Sequence, residues 1–361
     1  TNGKHIAQSI NLGIEDYSNE DNWRKALDSG KNRALAVKAY LNDTDVTSSS
    51  KLDVTATNSS TINAVTFAAS AAVGVSSGSG GGVSAGGLYV ENKMAADVHA
   101  YIEGGSSVQV ASGDITVKAQ DTSTIKAKAL GVSVAAGLAG SNALAISIGL
   151  SLAHNQIDND ISAFIKDVAD LDAASGKIIV SAKDASTITA MSAAASAAVT
   201  GSGSNAISVS GGGAYAHNQI TTSVRAYIVN SDVAASGNIT VTALSTAKVD
   251  ATILAVSGSI AFGGSNGVAA SIGAAIARNM IGTDFLGNPT NEAVEAYIQN
   301  SSVDAGGNLV LDADSQQTID ALVLAGSVAV SGGGTAGVSL SGAGATTDNH
   351  VAVTTRAFVL G

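Results

Sequence analysis

The chain has no cysteine, which excludes a disulfide scaffold, a thiolate metal site and a cysteine nucleophile. It has a single proline in 361 residues, so collagen-like and proline-rich linker architectures are excluded as well. Aromatic residues are few: one Trp, seven Tyr and five Phe. Charged residues make up 13%, about half the usual share of roughly 25%. The 18 basic residues form no cluster and the net charge is -11, which argues against nucleic acid as a partner. Five His and three Met leave little for metal binding or catalysis. No stretch of about 18 apolar residues is free of Gly and Ser, so no transmembrane helix is expected. What remains is 45% apolar residues and 41 glycines, too apolar for a disordered polar chain.

What is present is a repeat. An Ala-aromatic-aliphatic tripeptide recurs at 39–41, 100–102, 163–165, 226–228, 296–298 and 357–359. The interval is about 61–63 residues, lengthened to about 70 between the fourth and fifth tripeptides. An Asn stands shortly before the Ala at the same offset in Asn92, Asn155, Asn218 and Asn349, and one position closer in Asn32. In the fifth unit Asn279 stands much further ahead of Ala296. Thr283–Pro289 lies between, which reads as a surface loop insertion holding the single proline. Each unit also carries a short strand-like block, such as Lys177 to Ala182, introduced by Ser-Gly or Gly-Gly. An isoleucine block follows (Ile62, Ile125, Ile188, Val249, Ile319), then a Gly/Ser/Asn turn such as 201–205. Residues 1–31 form a non-repeat segment with an acidic cluster and room for one short helix from Asn22 to Leu27. Residues 32–361 form one continuous array with units starting near 32, 92, 155, 218, 279 and 349. The first and last residues read as a segment cut from a longer polypeptide, since Thr1 is no initiator and Phe358 falls inside a repeat.

The units read as β-strands despite their alanine. In 129–152 the even positions hold Leu130, Val132, Val134, Leu138, Leu144, Ile146, Ile148, Leu150 and Leu152, and the odd positions hold Gly, Ala and Ser. That is period 2, and helical period 3.6 would scatter both sets. Frequent Gly would cost a helix up to about 1 kcal/mol each. The expected fold is all-β and repetitive, with about five units of roughly 61–63 residues: a β-solenoid or stacked long β-hairpins. In the first arrangement a unit is three coils of about 21 residues. In the second it is an antiparallel hairpin stacked on its neighbours. The Leu/Ile/Val face is expected to be buried, each such residue contributing roughly 1.5–3 kcal/mol. The Gly/Ala/Ser face permits close approach of two sheets or two chains, or is a weakly exposed surface.

Candidate sites follow from the landmarks. Tyr40, Tyr101, Phe164, Tyr227, Tyr297 and Phe358 read as a stacked aromatic column or as a platform for sugars, the column being preferred. Asn92, Asn155 and Asn218 mark a bend, a bulge or an Asn ladder. His154 and His217 precede equivalent Asn residues, but the same place holds Glu91, Arg278 and Asp348, so it reads as an exposed edge position and not a metal site. His99 and His350 read as solitary. No cofactor is expected. Calcium stays open only for Asp16-x-Ser18-x-Glu20, where Asp21 and Leu27 stand in place of the EF-hand Gly and Glu. Neither a phosphate loop nor a catalytic constellation is present, so the reading is not an enzyme. Tyr17 with Trp23 is a carbohydrate candidate set against a small local core.

The motifs Asn218-Gln219-Ile220, Val224-Arg225-Ala226-Tyr227-Ile228, 236–243 and Ser186-Thr187-Ile188-Thr189-Ala190 resemble the tandem repeats of giant bacterial surface proteins, adhesin-like or haemagglutinin-like. The segment 14–18, with Trp23, is similar to a short module found between such repeats. The resemblance covers nearly the whole chain. It implies secretion, an extracellular or cell-surface location and a structural or adhesive role in a fibre, stalk or sheath. The expected partner is the chain itself or its neighbouring repeats. A stalk presenting binding modules elsewhere is the alternative, and a membrane β-barrel or tube the second. The low charge available to line a lumen weighs against the barrel.

Overall fold

In the computed structural model, residues 35–105, 107–290 and 292–361 are described. They are all-β, and every named strand pairs in parallel. The first coil holds β1 (Leu35–Asn42), β2 (Val46–Ser48), β3 (Leu52–Asn58) and β4 (Thr61–Ser76). The second holds β5 (Ser79–Glu103), β6 (Val108–Val110), β7 (Ile115–Asp121) and β8 (Thr124–Ala139). The third repeats them as β9 (Asn142–Lys166), β10 (Leu171–Ala173), β11 (Ile178–Asp184) and β12 (Thr187–Ser202). The fourth comprises β13 (Asn205–Val229), β14 (Asp232–Ala235), β15 (Ile239–Ser245) and β16 (Lys248–Gly263). In the fifth the long strand is split into β17 (Asn266–Ile281) and β18 (Ala293–Gln299), followed by β19 (Ser302–Ala305), β20 (Leu309–Ser315) and β21 (Thr318–Gly333). The last strands are β22 (Ala336–Val351) and β23 (Thr354–Leu360).

One repeat is therefore one large coil, not three small ones. The hairpin reading is corrected too. The two long arms of a unit run in opposite directions, yet their hydrogen bonds go to the next coil and not to each other. The result is a β-solenoid of four stacked parallel sheets. None closes on itself, so the barrel expectation does not describe this architecture. Corners are sharp where the long strand ends. Asp43, Asp167, Asn230 and Asn300 have φ between 46° and 55°, and Gly104 stands in the same row at 70°. Asp, Asn and Gly are the residues that tolerate this left-handed region.

Each coil has two zones. In the base, the lower half of the long strand, the shortest strand and the strand that follows it enclose one aliphatic core. Ile165, Leu171, Ile178 and Val180 are fully buried there, beneath Ile228, Val233, Ile239 and Val241. Above it, the last strand of the coil and the upper half of the long strand pack face to face as a two-layer fin.

The fin reverses the expected burial. Its inner faces are Gly, Ala and Ser, and its Leu, Ile and Val side chains point outward. Leu138 is 50% exposed and Phe262 is 55% exposed, whereas Ala135, Ala145, Ser133 and Ser147 are fully buried. The cause is strand parity. In β9 the base buries Ile157, Ile161 and Ile165, all odd positions. The strand continues upward with its side chains still alternating, so odd positions stay inside and Leu144 to Leu152 are turned out. The sheets then approach until only small residues fit. Ser133 Oγ donates to Ser84 Oγ at 2.9 Å, and Ser147 Oγ donates across the layers to Ser133 Oγ at 3.0 Å. A Cβ placed on Gly131 would lie 2.5 Å from the Leu150 carbonyl oxygen, and one on Gly149 2.5 Å from that of Ala195.

Candidate functional site

Three main ladders run along the stack, each one residue per coil, with a lesser one at the fin apex. The aromatic column is the most regular. Tyr40, Tyr101, Phe164, Tyr227, Tyr297 and Phe358 stack on the outer face of the long-strand sheet, with centroids 4.7–5.1 Å apart and planes within 8°. Parallel register sets this geometry, because Tyr227 lies directly beside Phe164 and Tyr297. The spacing is that of neighbouring strands, about 4.8 Å. The rings face each other and not solvent, so no flat aromatic platform is presented between coils.

The asparagines form a second ladder inside the coil. Asn92 Nδ2 donates to Asn155 Oδ1, Asn155 to Asn218, Asn218 to Asn279 and Asn279 to Asn349, each at 2.8 Å. Asn155, Asn218 and Asn279 are fully buried. The ladder places Asn279 in register with Asn218 despite its displaced spacing to the tripeptide. A lesser ladder at the fin apex links Asn142, Asn205 and Asn266 in solvent.

The third ladder, at the junction of base and fin, was missed in the sequence: Asn58, Asp121, Asp184 and Ser245 occupy one register position and are all buried. Asp121 accepts from Asn58 Nδ2 at 2.6 Å, Ser123 N at 2.9 Å and Asn159 Nδ2 at 3.0 Å. Asp184 accepts from Ser186 N at 3.0 Å and Ser245 Oγ at 3.0 Å. Burial, only partly offset by the Ser186 hydrogen bond, and the neighbouring Asp121 charge push the Asp184 carboxyl up to about 6. The signal available in the sequence was the Asp at the end of the third-strand block in two successive units.

The Thr283–Pro289 insertion is a loop, and it folds back on the stack. Phe285 packs at 4.8 Å on the His217 ring, and Arg278 lies 5.2 Å from the Phe285 centroid. His217 is thus fully buried and not an exposed edge position, because the loop of the next coil covers it. Burial and then the neighbouring His154 push its pKa down to about 4. His154 is half-buried in the same row, 5.0 Å from His217 between ring centroids. His99 is not solitary: its Nε2 lies 3.7 Å from Asp160, which also receives Arg225 at 2.9 Å. Burial raises the Asp160 carboxyl, but the His99 and Arg225 contacts outweigh it and hold it at about 2. His350 is not solitary either, with its Nε2 2.8 Å from Asp348.

Tyr17, Trp23, the Asp16–Glu20 segment and the whole non-repeat stretch 1–31 lie outside the described residues. Among the described residues no three His, Asp or Glu side chains converge as a metal site. Comparison with protein-family models, with curated proteins and with solved structures finds no match to this chain.

Proposed function

We propose that this chain is a structural segment of an extracellular bacterial surface fibre, stalk or sheath. One observation carries the reading: every repeat is one coil, stacked in register on the next, so that tandem units extend one body without altering its cross-section. Each coil adds about 4.8 Å. The columns of Tyr/Phe and Asn run along that axis and tie coil to coil. Such a design transmits length and stiffness and needs no cofactor or chemistry. The resemblance of the Asn218–Ile228 and 236–243 motifs to bacterial surface repeats supports the location.

Immunogold labelling of source cells with antibody to this chain tests it, together with cryo-electron microscopy of the labelled material without detergent. Label along surface filaments with an axial rise of about 4.8 Å is expected. Label confined to the cell interior would overturn the reading. Isolated rods on the surface would favour the alternative, a stalk that carries binding modules elsewhere in a longer chain.

A further inference from the structure

The fin presents two faces of aliphatic side chains to the outside. Residues 66–90, 129–153, 192–216, 251–277 and 321–347 contain no Asp, Glu, Lys or Arg. Formal charge in the repeats is therefore confined to the base and to the foot of the fin, where Lys126, Lys128, Lys248, Asp250 and Asp320 stand. Exposed aliphatic side chains in this number, and in one continuous patch, exceed what a lone protein leaves in water.

We infer that the outer face built by β4, β8, β12, β16 and β21 docks against the same face of a second copy of this chain. The area fits. The four strands β4, β8, β12 and β16, at about 4.8 Å each, give a paired width of about 19 Å, and the apolar band from Leu130 to Leu138 gives a height of about 30 Å. Pairing two such areas removes about 1,150 Å² from water, above the roughly 1,000 Å² that a specific, complementary interface needs.

The relief fits as well. On β12 the outward Ala193, Ala195 and Ala197 form a valley one strand wide, bounded along the strand by Met191 and Val199. Its register neighbours are large: Leu130, Val132 and Val134 on β8, and Leu254 and Val256 on β16. A two-fold axis parallel to the strands sets β8 of each copy into the β12 valley of the other and β4 against β16. That is the reciprocal pairing a closed dimer requires. On the opposite face Leu150 leans over Gly213, its Cδ2 2.8 Å from where a Cβ would stand, and covers part of the glycine hollow there.

A bilayer is the other apolar environment of about 30 Å thickness. The relief of the β12 valley, which fluid hydrocarbon does not require, favours a second copy instead. The docking goes beyond the structural role proposed above and fails separately from it. A monomeric rod on the cell surface would remove the docking and leave that role. A docked pair inside the cell would do the reverse.

Sedimentation of the purified chain in detergent-free buffer is the test, on wild type, on Val132→Lys/Ala195→Lys and on Ile148→Lys/Ile207→Lys. The second pair places the same charge on the opposite face. Retained β-sheet circular dichroism is required of each. Wild type is expected to associate, the first variant to weaken that contact by about 100-fold or more in Kd, and the second to keep it. Ala195→Leu, which fills the valley without charge, is expected to weaken association at least tenfold and guards against a misfolded lysine variant. The proposal falls if wild type is monomeric at about 100 μM, if the Val132/Ala195 variant associates as wild type does, or if the chain stays monomeric and floats with phosphatidylcholine vesicles.

Discussion

Asp184 stands one rung from Asp121 in the junction ladder, and the Ser186 hydroxyl touches both. Its Oγ lies 2.6 Å from Asp184 Oδ1 and 3.0 Å from Asp121 Oδ2. A hydroxyl has one proton to donate, so the second contact is complete only when a carboxyl donates to Oγ. Burial first, and then the nearby Asp121 charge, raise the Asp184 carboxyl to about 6.

A pH dependence follows. The folded Asp184 pKa of about 6 lies above its unfolded value of about 3.9, so the native state binds the proton more tightly. The contribution to stability is full below about pH 4 and is lost as pH rises through 6, a change of about 3 kcal/mol. Asp184→Asn supplies a neutral group of the same shape, and Asn58 already occupies the equivalent rung. Denaturant unfolding at pH 4 and pH 7 checks this. The difference between wild type and Asp184→Asn should shift in favour of the variant by about 2–3 kcal/mol at the higher pH. A difference that does not change with pH would refute the raised Asp184 pKa.

The fin interior should resist enlargement and its exterior should tolerate reduction. Gly149→Val puts atoms against the Ala195 carbonyl oxygen and should destabilise by at least about 2 kcal/mol. Ile148→Ala, one residue away and pointing out, should cost under about 1 kcal/mol. Thermal melts of dilute protein decide. The opposite ranking would mean that the large face is the buried one.

Tyr227→Ala opens a gap in the aromatic column between Phe164 and Tyr297. Two stacking contacts at about 0.5–1.5 kcal/mol each set the expected loss at about 1–3 kcal/mol. Tyr227→Phe should be near neutral, since Phe164 and Phe358 fill the same rung elsewhere. His217→Ala should cost less than Tyr227→Ala, because the His154 and Phe285 rings are tilted 41° and 48° against His217, whereas Tyr227 is stacked within 8° of both its neighbours. Equal melting temperatures for Tyr227→Ala and His217→Ala would count against the column as a stacking device.

Phe285→Ala uncovers His217. Its pKa, held at about 4 chiefly by burial, should return toward about 6.5, followed by imidazole NMR titration. A folded pKa depressed in this way contributes stability above about pH 6.5 that is lost as pH falls toward 4, so acid should loosen the 282–290 loop first in wild type. An unchanged titration in the variant would show that Phe285 is not the cover.

Much of this was legible in the residues. Period 2 over 129–152 establishes strands because no helix keeps Leu130 to Leu152 on one side. The recurrence of Tyr/Phe and Asn once in every unit establishes one-per-unit columns, because parallel stacking can only place like beside like. The repeat length alone could not choose between three coils and one, since both stack with the same register.

Which face lies inside was decided by the tertiary structure. The large residues of β9 change parity between Leu152 and Ile157, and the base holds more apolar volume than the fin. Burying Ile157, Ile161 and Ile165 therefore turns Leu150 outward along the same uninterrupted strand. The burial of His217 was likewise invisible, because its cover comes from the loop of the following coil, and only coil-on-coil contact brings Phe285 to it. Sequence alone determined the period, the strands and the columns, which depend on local alternation and recurrence. Inside and outside were settled by competition between two zones of one strand, and that is a property of the packed coil.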